Sequence, residues 1–245
     1  VEMTRNTTVS SVLSKLQSDP SFSENIIHYR KIDGKSATYA KFPSVLHPSI
    51  IKALKTKGIE QLYSHQKDAF DSAYNGESIT AVTPTASGKS LCYHLPVLQS
   101  ILENESSRAI YLFPTKALAQ DQLSDLHALI EASEETILSY TYDGDTAPGL
   151  RSKVRKSGHI VLTNPDMLHS GILPHHTKWV SLFENLKYII IDELHTYKGV
   201  FGSHVAHVLR RLKRICNYYG SDPVFICTSA TIANPGELAE SLTNT

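Results

Sequence analysis

Residues 78–90 read SITAVTPTASGKS, and this short stretch carries the information that decides the fold. The segment 78–83 is typical of a strand, and the residues after Ser90 have the pattern of a helix. A strand, a loop that ends in Gly-Lys-Ser and a helix together form the local context of a phosphate-binding loop. Thr83 stands where such loops usually have glycine, so the stretch taken alone leaves a chance match open.

The loop has a defined chemistry if it binds a nucleotide. Its backbone N–H groups and the N-terminus of the next helix present partial positive charge to phosphate oxygens. Gly88 lets the backbone approach closely, Lys89 reaches the β- and γ-phosphates, and Ser90 is a ligand for Mg²⁺. The predicted nucleotide contacts of the loop are Thr85, Ala86, Ser87, Gly88, Lys89 and Ser90.

Strands and helices alternate along the chain around this loop. Apolar runs predict strands at 78–83, 108–113, 136–142, 159–163, 186–192 and 223–228. Helices are predicted at 9–16, 48–57, 64–75, 116–130 and 203–219, with Ser64 as an N-cap. Continuous apolar strands belong in sheets that are covered on both faces. We therefore predict an α/β fold, with a mostly parallel sheet, helices on both faces and an N-terminal helical extension.

Two carboxylates lie at the end of the strand predicted at 186–192. Three isoleucines lead directly into Asp192-Glu193-Leu194-His195, an unfavourable place for charge unless it meets a cation. Asp192 is suited to hold the Mg²⁺ of a nucleotide through water, and Glu193 is suited to polarise an attacking water. A solvated acidic turn is the alternative for this stretch by itself. The acidic pair and the Gly-Lys-Ser loop together favour a nucleotide hydrolase with Glu193, Asp192 and Lys89 as catalytic residues.

Hydroxyl and amide groups complete the predicted nucleotide site. The last predicted strand runs into Thr228-Ser229-Ala230-Thr231, which fits a relay that senses the γ-phosphate or, alternatively, ordinary strand caps. We predict coupling roles for Ser229, Thr231 and His195. Gln66 carries both a donor and an acceptor, so it can read the edge of adenine, although a lone Gln is usually a surface residue.

The remaining strand ends supply groups that suit the phosphates of an extended nucleic-acid strand. As single turns they would be ordinary, because Pro, Asn, Asp and Gly are common turn residues. Taken as a series, they favour a nucleic-acid track. The predicted contacts are Thr115, Lys116, Gly144, Asp145, Thr163 and Asn164.

Composition limits the possible partners and compartments. Lys and Arg number 24, as do Asp and Glu, so nucleic-acid binding must come from a local track of groups. Three widely spaced cysteines in apolar surroundings, Cys92, Cys216 and Cys227, predict buried free thiols in a reducing compartment. The sequence has neither an apolar run of membrane-spanning length nor a signal segment. We expect a cytoplasmic protein without a membrane partner.

In order, these motifs resemble those of superfamily 2 helicases. The residues that carry the resemblance are Gln66, TPTASGKS (83–90), FPTKALAQDQ (113–122), TYDGDT (141–146), TNPDML (163–168), DELH (192–195) and TSAT (228–231). That superfamily often lacks the first loop glycine. Finer matches, among them LPHHTKW (173–179), resemble the bacterial mitomycin-repair DNA helicase family, which is related to fungal RecQ4-like helicases. The resemblance covers the chain from about Phe42 onward.

The resemblance implies the first RecA-like domain of a 3′-to-5′ DNA helicase that acts in repair. It implies ATP and Mg²⁺ as cofactors, single-stranded DNA as a partner and a bacterial, nucleoid-associated location. We expect residues 1–41 to form a partly ordered extension and 42–245 the RecA-like domain, monomeric and weakly active without a second RecA-like domain. An RNA-dependent ATPase of the DEAD-box type and a nucleotide-gated nucleic-acid clamp are the alternatives.

Overall fold

The computed structural model describes residues 8–28, 30, 37–83 and 88–244. Contacts divide the chain into two compact units, Val1–Ala37 and Thr38–Thr245. The first unit contains helices α1 (Val9–Ser18) and α2 (Pro20–Ser23). The helix predicted at 9–16 is confirmed and ends two residues later. Its N-cap is Thr8, whose Oγ1 accepts a hydrogen bond from the Ser11 N–H at 3.3 Å.

The second unit is built on a parallel sheet. Its strands are β3 (Ile79–Val82), β4 (Arg108–Leu112), β5 (Ser139–Thr141), β6 (Ile160–Thr163), β7 (Leu186–Ile191) and β8 (Val224–Ser229). Within the described residues the six strands lie in the order β3-β8-β7-β4-β6-β5, and every neighbouring pair is parallel. The predicted strands and the predicted α/β class are both confirmed.

One strand is shorter than predicted. The pattern predicts a strand at 136–142, but β5 begins at Ser139. The reason is a side chain at the start of the ladder, where Leu138 N–H donates to the His159 ring Nδ1 at 2.9 Å. The imidazole therefore takes the place of a backbone carbonyl as the partner of the Leu138 N–H.

A small two-stranded sheet was not predicted. β1 (Tyr39–Ala40) and β2 (Leu62–Tyr63) pair antiparallel, with Tyr39 opposite Tyr63. Each strand has only two residues, which is too short to leave an alternating pattern in a sequence. This pairing places two tyrosines beside each other at the entrance to α4.

Within the described residues, the second unit contains the five predicted helices, with shifted ends, and four further helices. They are α3 (Pro48–Thr56), α4 (Ser64–Tyr74), α5 (Ser90–Glu103), α6 (Lys116–Ser133), α7 (Pro148–Ser157), α8 (Pro165–Met167), α9 (Val180–Glu184), α10 (Gly199–Tyr219) and α11 (Pro235–Thr243). A π turn (Leu168–Ile172) and 3₁₀ turns (Leu173–Lys178 and Leu194–Thr196) connect some of them.

Two helix starts differ from the prediction. α10 begins at Gly199 rather than at the predicted residue 203. The prediction missed the first turn because Val200 and Phe201 are exposed there, which breaks the apolar periodicity. The N-cap of α4 is Tyr63, so the prediction for Ser64 is wrong. The Tyr63 N–H is satisfied at this helix start by Gln66 Oε1 at 2.9 Å, and a serine cap is not needed.

Apolar side chains cover the sheet on both faces. Ile190 and Ile226 pack with Leu54, Phe70 and Leu98 from α3, α4 and α5 on one face. On the other face, strand residues pack with α10 and α11, including Ile189, Ile191, Phe225, Leu209 and Leu242. Successive isoleucines of β7 thus point to opposite faces, which explains why this strand is apolar throughout.

The three cysteines are free and buried. Burial raises the pKa of the Cys92 and Cys227 thiols to about 12 and that of Cys216 to about 11. The prediction of buried free thiols is confirmed. Within the described residues, no helix combines the length and apolar character that a membrane crossing requires.

Candidate functional site

The predicted site residues gather at one edge of the sheet. Since the six strands are parallel, their carboxyl ends share an edge, where α/β sheets bind ligands. β3, β8 and β7 are neighbours, so the Gly-Lys-Ser loop, Ser229 and Asp192 lie side by side. β4, β6 and β5 form the other half and carry the predicted nucleic-acid residues. The two halves meet between β7 and β4, where the Asp192 N–H donates to the Leu112 carbonyl at 3.0 Å.

Gln66 holds the end of the phosphate-loop segment. It is 2% exposed, and its Nε2 donates to the Gly88 carbonyl at 2.9 Å. Gly88 has φ +71°, and a Cβ at this position would lie 2.6 Å from Gln66 Nε2. Glycine is therefore required both by its backbone conformation and by the nearby amide. Each amide atom of Gln66 keeps one further hydrogen-bonding position, so adenine reading stays a prediction.

A cavity of about 790 Å³ opens beside this amide. Tyr39, Tyr63, Ile59, Gln66 and Gly88 are among its lining residues. The rings of Tyr39 and Tyr63 stack with centroids 5.3 Å apart. Tyr39 and Tyr63 thus provide a flat apolar surface in the cavity that Gln66 also lines. An apolar surface next to the donor and the acceptor of an amide suits a purine base. Sequence reasoning missed both tyrosines, since only the pairing of β1 and β2 brings them together.

Lys89 and Glu193 face each other across the edge. The Lys89 Nζ lies 4.0 Å from Glu193 Oε1, and their side chains are 13% and 26% exposed. Ser90 is the first residue of α5, directly after Lys89. Thr85, Ala86 and Ser87, the other predicted loop contacts, lie outside the described residues.

Asp192 is buried, two donors hold its Oδ1, and a third hydroxyl lies near its Oδ2. Its Oδ1 accepts hydrogen bonds from the Thr228 hydroxyl and from the Glu193 N–H, the latter at 2.8 Å. The Tyr93 hydroxyl lies 3.4 Å from Oδ2. Tyr93 was not predicted as a site residue, and Thr228 was predicted only as part of the TSAT stretch, without a role of its own. Thr228 belongs to the TSAT stretch, so its hydroxyl was a signal that sequence reasoning had available; Tyr93 offered none.

Glu193 adopts a backbone conformation that non-glycine residues rarely use. Its φ is +53° and its ψ is 45°, in the left-handed region. Such a conformation costs about 1–3 kcal/mol and is typical of functional sites. Thr196 stabilises it, since both its N–H and its hydroxyl donate to the Glu193 carbonyl at 2.8 Å. The strained turn directs the carboxylate toward Lys89, while the His195 Nδ1 lies 3.2 Å from Glu193 Oε2.

The predicted coupling residues differ in their surroundings. Ser229 is fully buried at the end of β8, and no described residue partners its Oγ. Its carbonyl accepts from the Thr83 N–H at 3.3 Å, which joins the ends of β8 and β3. Thr231 is exposed and His195 is half-buried. Their coupling roles stay predictions.

On the other half of the edge, a lysine and an aspartate form an exposed pair. Thr115 is the N-cap of α6 and accepts from the Leu118 N–H at 3.3 Å. The next residue, Lys116, places its Nζ 2.7 Å from Asp145 Oδ2 and close to Gly144. This hydrogen bond to Asp145 raises the pKa of Lys116. The pair connects the loops after β4 and β5.

Arg151 fixes the loop that carries Gly144 and Asp145. Its guanidinium donates to the carbonyls of Thr146 at 2.8 Å, Asp143 at 3.0 Å and Gly144 at 3.2 Å. It also lies 5.3 Å from the centre of the Tyr142 ring. Arg151 was not predicted as a site residue, because its carbonyl partners depend on the loop conformation.

The two predicted residues at the end of β6, Thr163 and Asn164, differ in how far the fold uses their side chains. The Thr163 side chain is buried, and its hydroxyl donates to the Tyr142 carbonyl at 2.7 Å, which ties the ends of β6 and β5 together. Asn164 is the N-cap of α8 and accepts from the Met167 N–H at 2.8 Å. The hydroxyl of Thr163 is thus used inside the fold, whereas Asn164 uses its amide oxygen for the cap and keeps its NH₂ group for a partner.

Comparisons with known proteins agree with this geometry. A parallel sheet with a Gly-Lys-Ser loop and an Asp-Glu pair on nearby strand ends is typical of P-loop nucleotide hydrolases, the class to which RecA-like helicase domains belong. The family described as DEAD/DEAH box helicase matches residues 63–238, well over half of the chain. This chain belongs to the DEAD/DEAH box helicase family.

Individual relatives make the relationship more specific. The chain is 64% identical over 231 residues to the uncharacterized ATP-dependent helicase YprA of Bacillus subtilis, covering 94% of this chain and 31% of YprA. It is 41% identical over 233 residues to the ATP-dependent helicase HRQ1 of Saccharomyces cerevisiae, covering 94% and 21%. The predicted resemblance to superfamily 2 helicases is confirmed.

A solved structure shows the same fold. The crystal structure of the DUF1998 helicase MrfA bound to DNA and AMPPNP superposes with a TM-score of 0.92 at 62% identity. The match covers 98% of this chain and 33% of that chain. The chain therefore spans about a third or less of the length of these relatives.

Proposed function

We propose that this chain is the first ATP-binding motor domain of an ATP-dependent DNA helicase. The observation that carries the proposal is the placement of Lys89 4.0 Å from Glu193, next to the buried Asp192. Lys89 supplies positive charge for the phosphates of a nucleotide. The two carboxylates beside it, Glu193 and Asp192, suit the attacking water and the Mg²⁺ that accompanies the phosphates. The similarity to helicases with 62–64% identity supports the same assignment.

The residues fit ATP and Mg²⁺. Lys89 neutralises charge on the β- and γ-phosphates, and Glu193 polarises the water that attacks the γ-phosphate. Ser90 and Asp192 supply the oxygen ligands that Mg²⁺ prefers, with Asp192 oriented by Thr228 and the Glu193 N–H. When bound, Mg²⁺ neutralises developing negative charge on the phosphates. Gln66 and the cavity beside it receive the adenine.

Single-stranded DNA is the proposed polymer. MrfA was crystallised with DNA and AMPPNP, which favours DNA over RNA for a chain of such similarity. Thr115, Lys116 and Asn164 lie on the half of the edge that is free of the nucleotide groups. We include 3′-to-5′ translocation, a role in DNA repair and a bacterial cytoplasmic, nucleoid-associated location in the proposal.

A second RecA-like domain completes the ATP site in this proposal. Relatives of this chain are about three or more times longer, so they have room for such a domain. An arginine finger from a second domain is worth about 10³–10⁵ in the rate of phosphoryl transfer. The 245-residue chain is then a monomer that binds ATP weakly and hydrolyses it slowly.

Glu193→Gln tests the proposed chemistry. In a chain that contains both RecA-like domains, we expect this change to abolish DNA-stimulated ATP turnover and to preserve ATP binding, because the amide keeps the shape of the carboxylate but cannot polarise water. Glu131→Gln on the exposed face of α6 is a matched control and should leave turnover unchanged. Normal turnover in Glu193→Gln would contradict the proposed mechanism.

The same assay separates DNA from RNA as the polymer. ATP turnover is measured without a polymer, with single-stranded DNA and with RNA of the same length. We expect DNA to stimulate most. Stimulation by RNA alone, or equally by both polymers, would favour an RNA-dependent ATPase. The absence of stimulation by either polymer, together with nucleotide-dependent binding of one of them in an anisotropy titration, would favour a clamp.

A further inference from the structure

The hydroxyl of Tyr93 lies between the two halves of the strand edge. Tyr93 belongs to α5 and is 1% exposed. Its hydroxyl donates to Gln122 Oε1 at 2.8 Å, and it also lies 3.4 Å from Asp192 Oδ2. Asp192 is 99 residues away in sequence and Gln122 is 29 residues away. A single buried hydroxyl therefore touches an acidic residue of the nucleotide half and a residue of α6.

This hydroxyl has one hydrogen for two acceptors. It donates to Gln122 or to Asp192, and the Gln122 amide can reverse so that its NH₂ group donates to the tyrosine oxygen. Burial, together with the nearby Asp192 charge, raises the pKa of Tyr93 well above its usual range, so the hydroxyl keeps its proton. Two discrete hydrogen-bond arrangements are thus available around Tyr93.

Gln122 connects this hydroxyl to the nucleic-acid half. It lies in α6, the helix that begins at Lys116 behind the Thr115 N-cap. The Lys116 ammonium reaches Asp145 in the loop after β5. A change at Gln122 therefore acts on the helix whose first turn presents the proposed nucleic-acid contacts. Rigid helices with two discrete arrangements at one end are a physical route for coupling between sites.

We propose that Tyr93 is a positioning residue that couples nucleotide binding to nucleic-acid binding. When Asp192 is engaged by the Mg²⁺-nucleotide, the hydroxyl donates to Gln122 and fixes α6; when Asp192 is free, the hydroxyl is shared with its carboxylate. This inference rests on the proposed function, since it needs both ligands. The inference adds a specific contact to that function: the Tyr93 hydroxyl is the group through which one ligand changes the affinity for the other.

Tyr93→Phe tests this role, with Tyr111→Phe as the matched control. Both tyrosines are almost fully buried, but the Tyr111 hydroxyl is 3.2 Å from the His94 Nδ1, and among the described residues no hydrogen bond joins it to Asp192 or Gln122. Gln122→Met is a second variant, because it removes the acceptor and keeps the length of the side chain. In a chain that contains both RecA-like domains, the affinity for a fluorescein-labelled oligo-dT is measured by anisotropy with and without Mg²⁺-AMPPNP. The affinity for AMPPNP is measured with and without oligo-dT.

In the unmodified protein, each ligand should change the affinity for the other by about fivefold or more, since coupling between sites usually begins at about that value. Tyr93→Phe and Gln122→Met should reduce that factor to less than about twofold and leave each affinity, measured alone, nearly unchanged. Tyr111→Phe should keep the full factor. A merely structural tyrosine would instead weaken the individual affinities or the stability.

The outcomes separate the inference from the proposed function. Binding of both ligands with coupling that survives Tyr93→Phe would overturn the inference alone, and so would binding of both ligands without coupling in the unmodified protein. Failure of the unmodified protein to bind AMPPNP or oligo-dT would overturn the proposed function, and the inference with it.

Discussion

Lys89 and Glu193 lie 4.0 Å apart although β8 separates the strands that carry them. Both side chains are partly exposed, and ion pairs of this kind contribute about 0–1 kcal/mol to stability. We therefore expect Lys89→Ala to change the free energy of unfolding by less than about 1 kcal/mol. Nucleotide affinity should fall strongly, because the phosphates lose their cation.

Isothermal titration with Mg²⁺-AMPPNP and urea denaturation measure these two effects. Lys67→Ala is the control, since Lys67 pairs with Asp71 on the surface of α4 and away from the proposed phosphate position. Unchanged AMPPNP affinity in Lys89→Ala would remove the lysine from the proposed site.

The hydroxyl of Thr228 anchors the carboxylate of Asp192. Thr228→Val keeps the side-chain volume and removes the donor, so a buried carboxylate loses a charge-assisted hydrogen bond worth about 1.5–3 kcal/mol. We expect the free energy of unfolding to fall by that amount and Mg²⁺-AMPPNP affinity to fall as well. Thr228→Ser retains the hydroxyl and should preserve the nucleotide affinity. If Thr228→Val binds Mg²⁺-AMPPNP as tightly as the unmodified protein, the hydroxyl is not needed to anchor Asp192.

Gly88 is constrained both by its φ of +71° and by the amide of Gln66. Gly88→Ala places a Cβ where Gln66 Nε2 now lies, 2.6 Å away, and forces a left-handed conformation on alanine at a cost of about 1–2 kcal/mol. We expect a lower melting temperature and loss of AMPPNP binding. Gly236→Ala is the control, because a Cβ there meets no atom within 4 Å and its φ is not positive. A stable, nucleotide-binding Gly88→Ala variant would contradict this account of the loop.

The Lys116–Asp145 pair predicts opposite effects for its two members. Lys116→Ala should weaken oligo-dT binding and reduce the salt dependence of the binding constant by about one phosphate contact, a slope change of about 0.7. Asp145→Asn should strengthen binding, because it removes a negative charge and releases the lysine. Anisotropy titrations between low and moderate salt test both. If Lys116→Ala leaves the salt slope unchanged, Lys116 does not contact phosphate.

Buried thiols predict a loss of stability at alkaline pH. The ordinary thiol value is 9.0, and burial raises the pKa of Cys92 and Cys227 to about 12. Their contribution is complete below pH 9 and is lost as the pH rises toward 12, since the unfolded chain releases these protons first. The slope approaches about 1.4 kcal/mol per pH unit for each thiol.

Urea denaturation between pH 8 and pH 11 measures this slope. Cys227→Ala should flatten it, even if the variant is less stable at every pH. A slope unaffected by Cys227→Ala would show that this thiol is not the origin of the effect.

Most of the architecture was predictable from local patterns. Apolar runs located the six strands, and the Gly-Lys-Ser loop indicated the edge of the sheet proposed to bind the nucleotide, because both signals are contiguous in the chain. The start of α10 was misplaced because Val200 and Phe201 are exposed apolar residues. β1 and β2 were missed because each strand has only two residues, which is too short to show the alternating apolar pattern of a strand.

The sequence by itself determined the class of fold, the family and the residue types at each strand end. Only the tertiary structure decided which of these residues meet. The strand order β3-β8-β7-β4 sets Thr228 against Asp192, and helix packing brings Tyr93 between Asp192 and Gln122. The physical reason is that strand ends are local features, whereas strand order and helix docking follow from the burial of both sheet faces, to which distant parts of the chain contribute together.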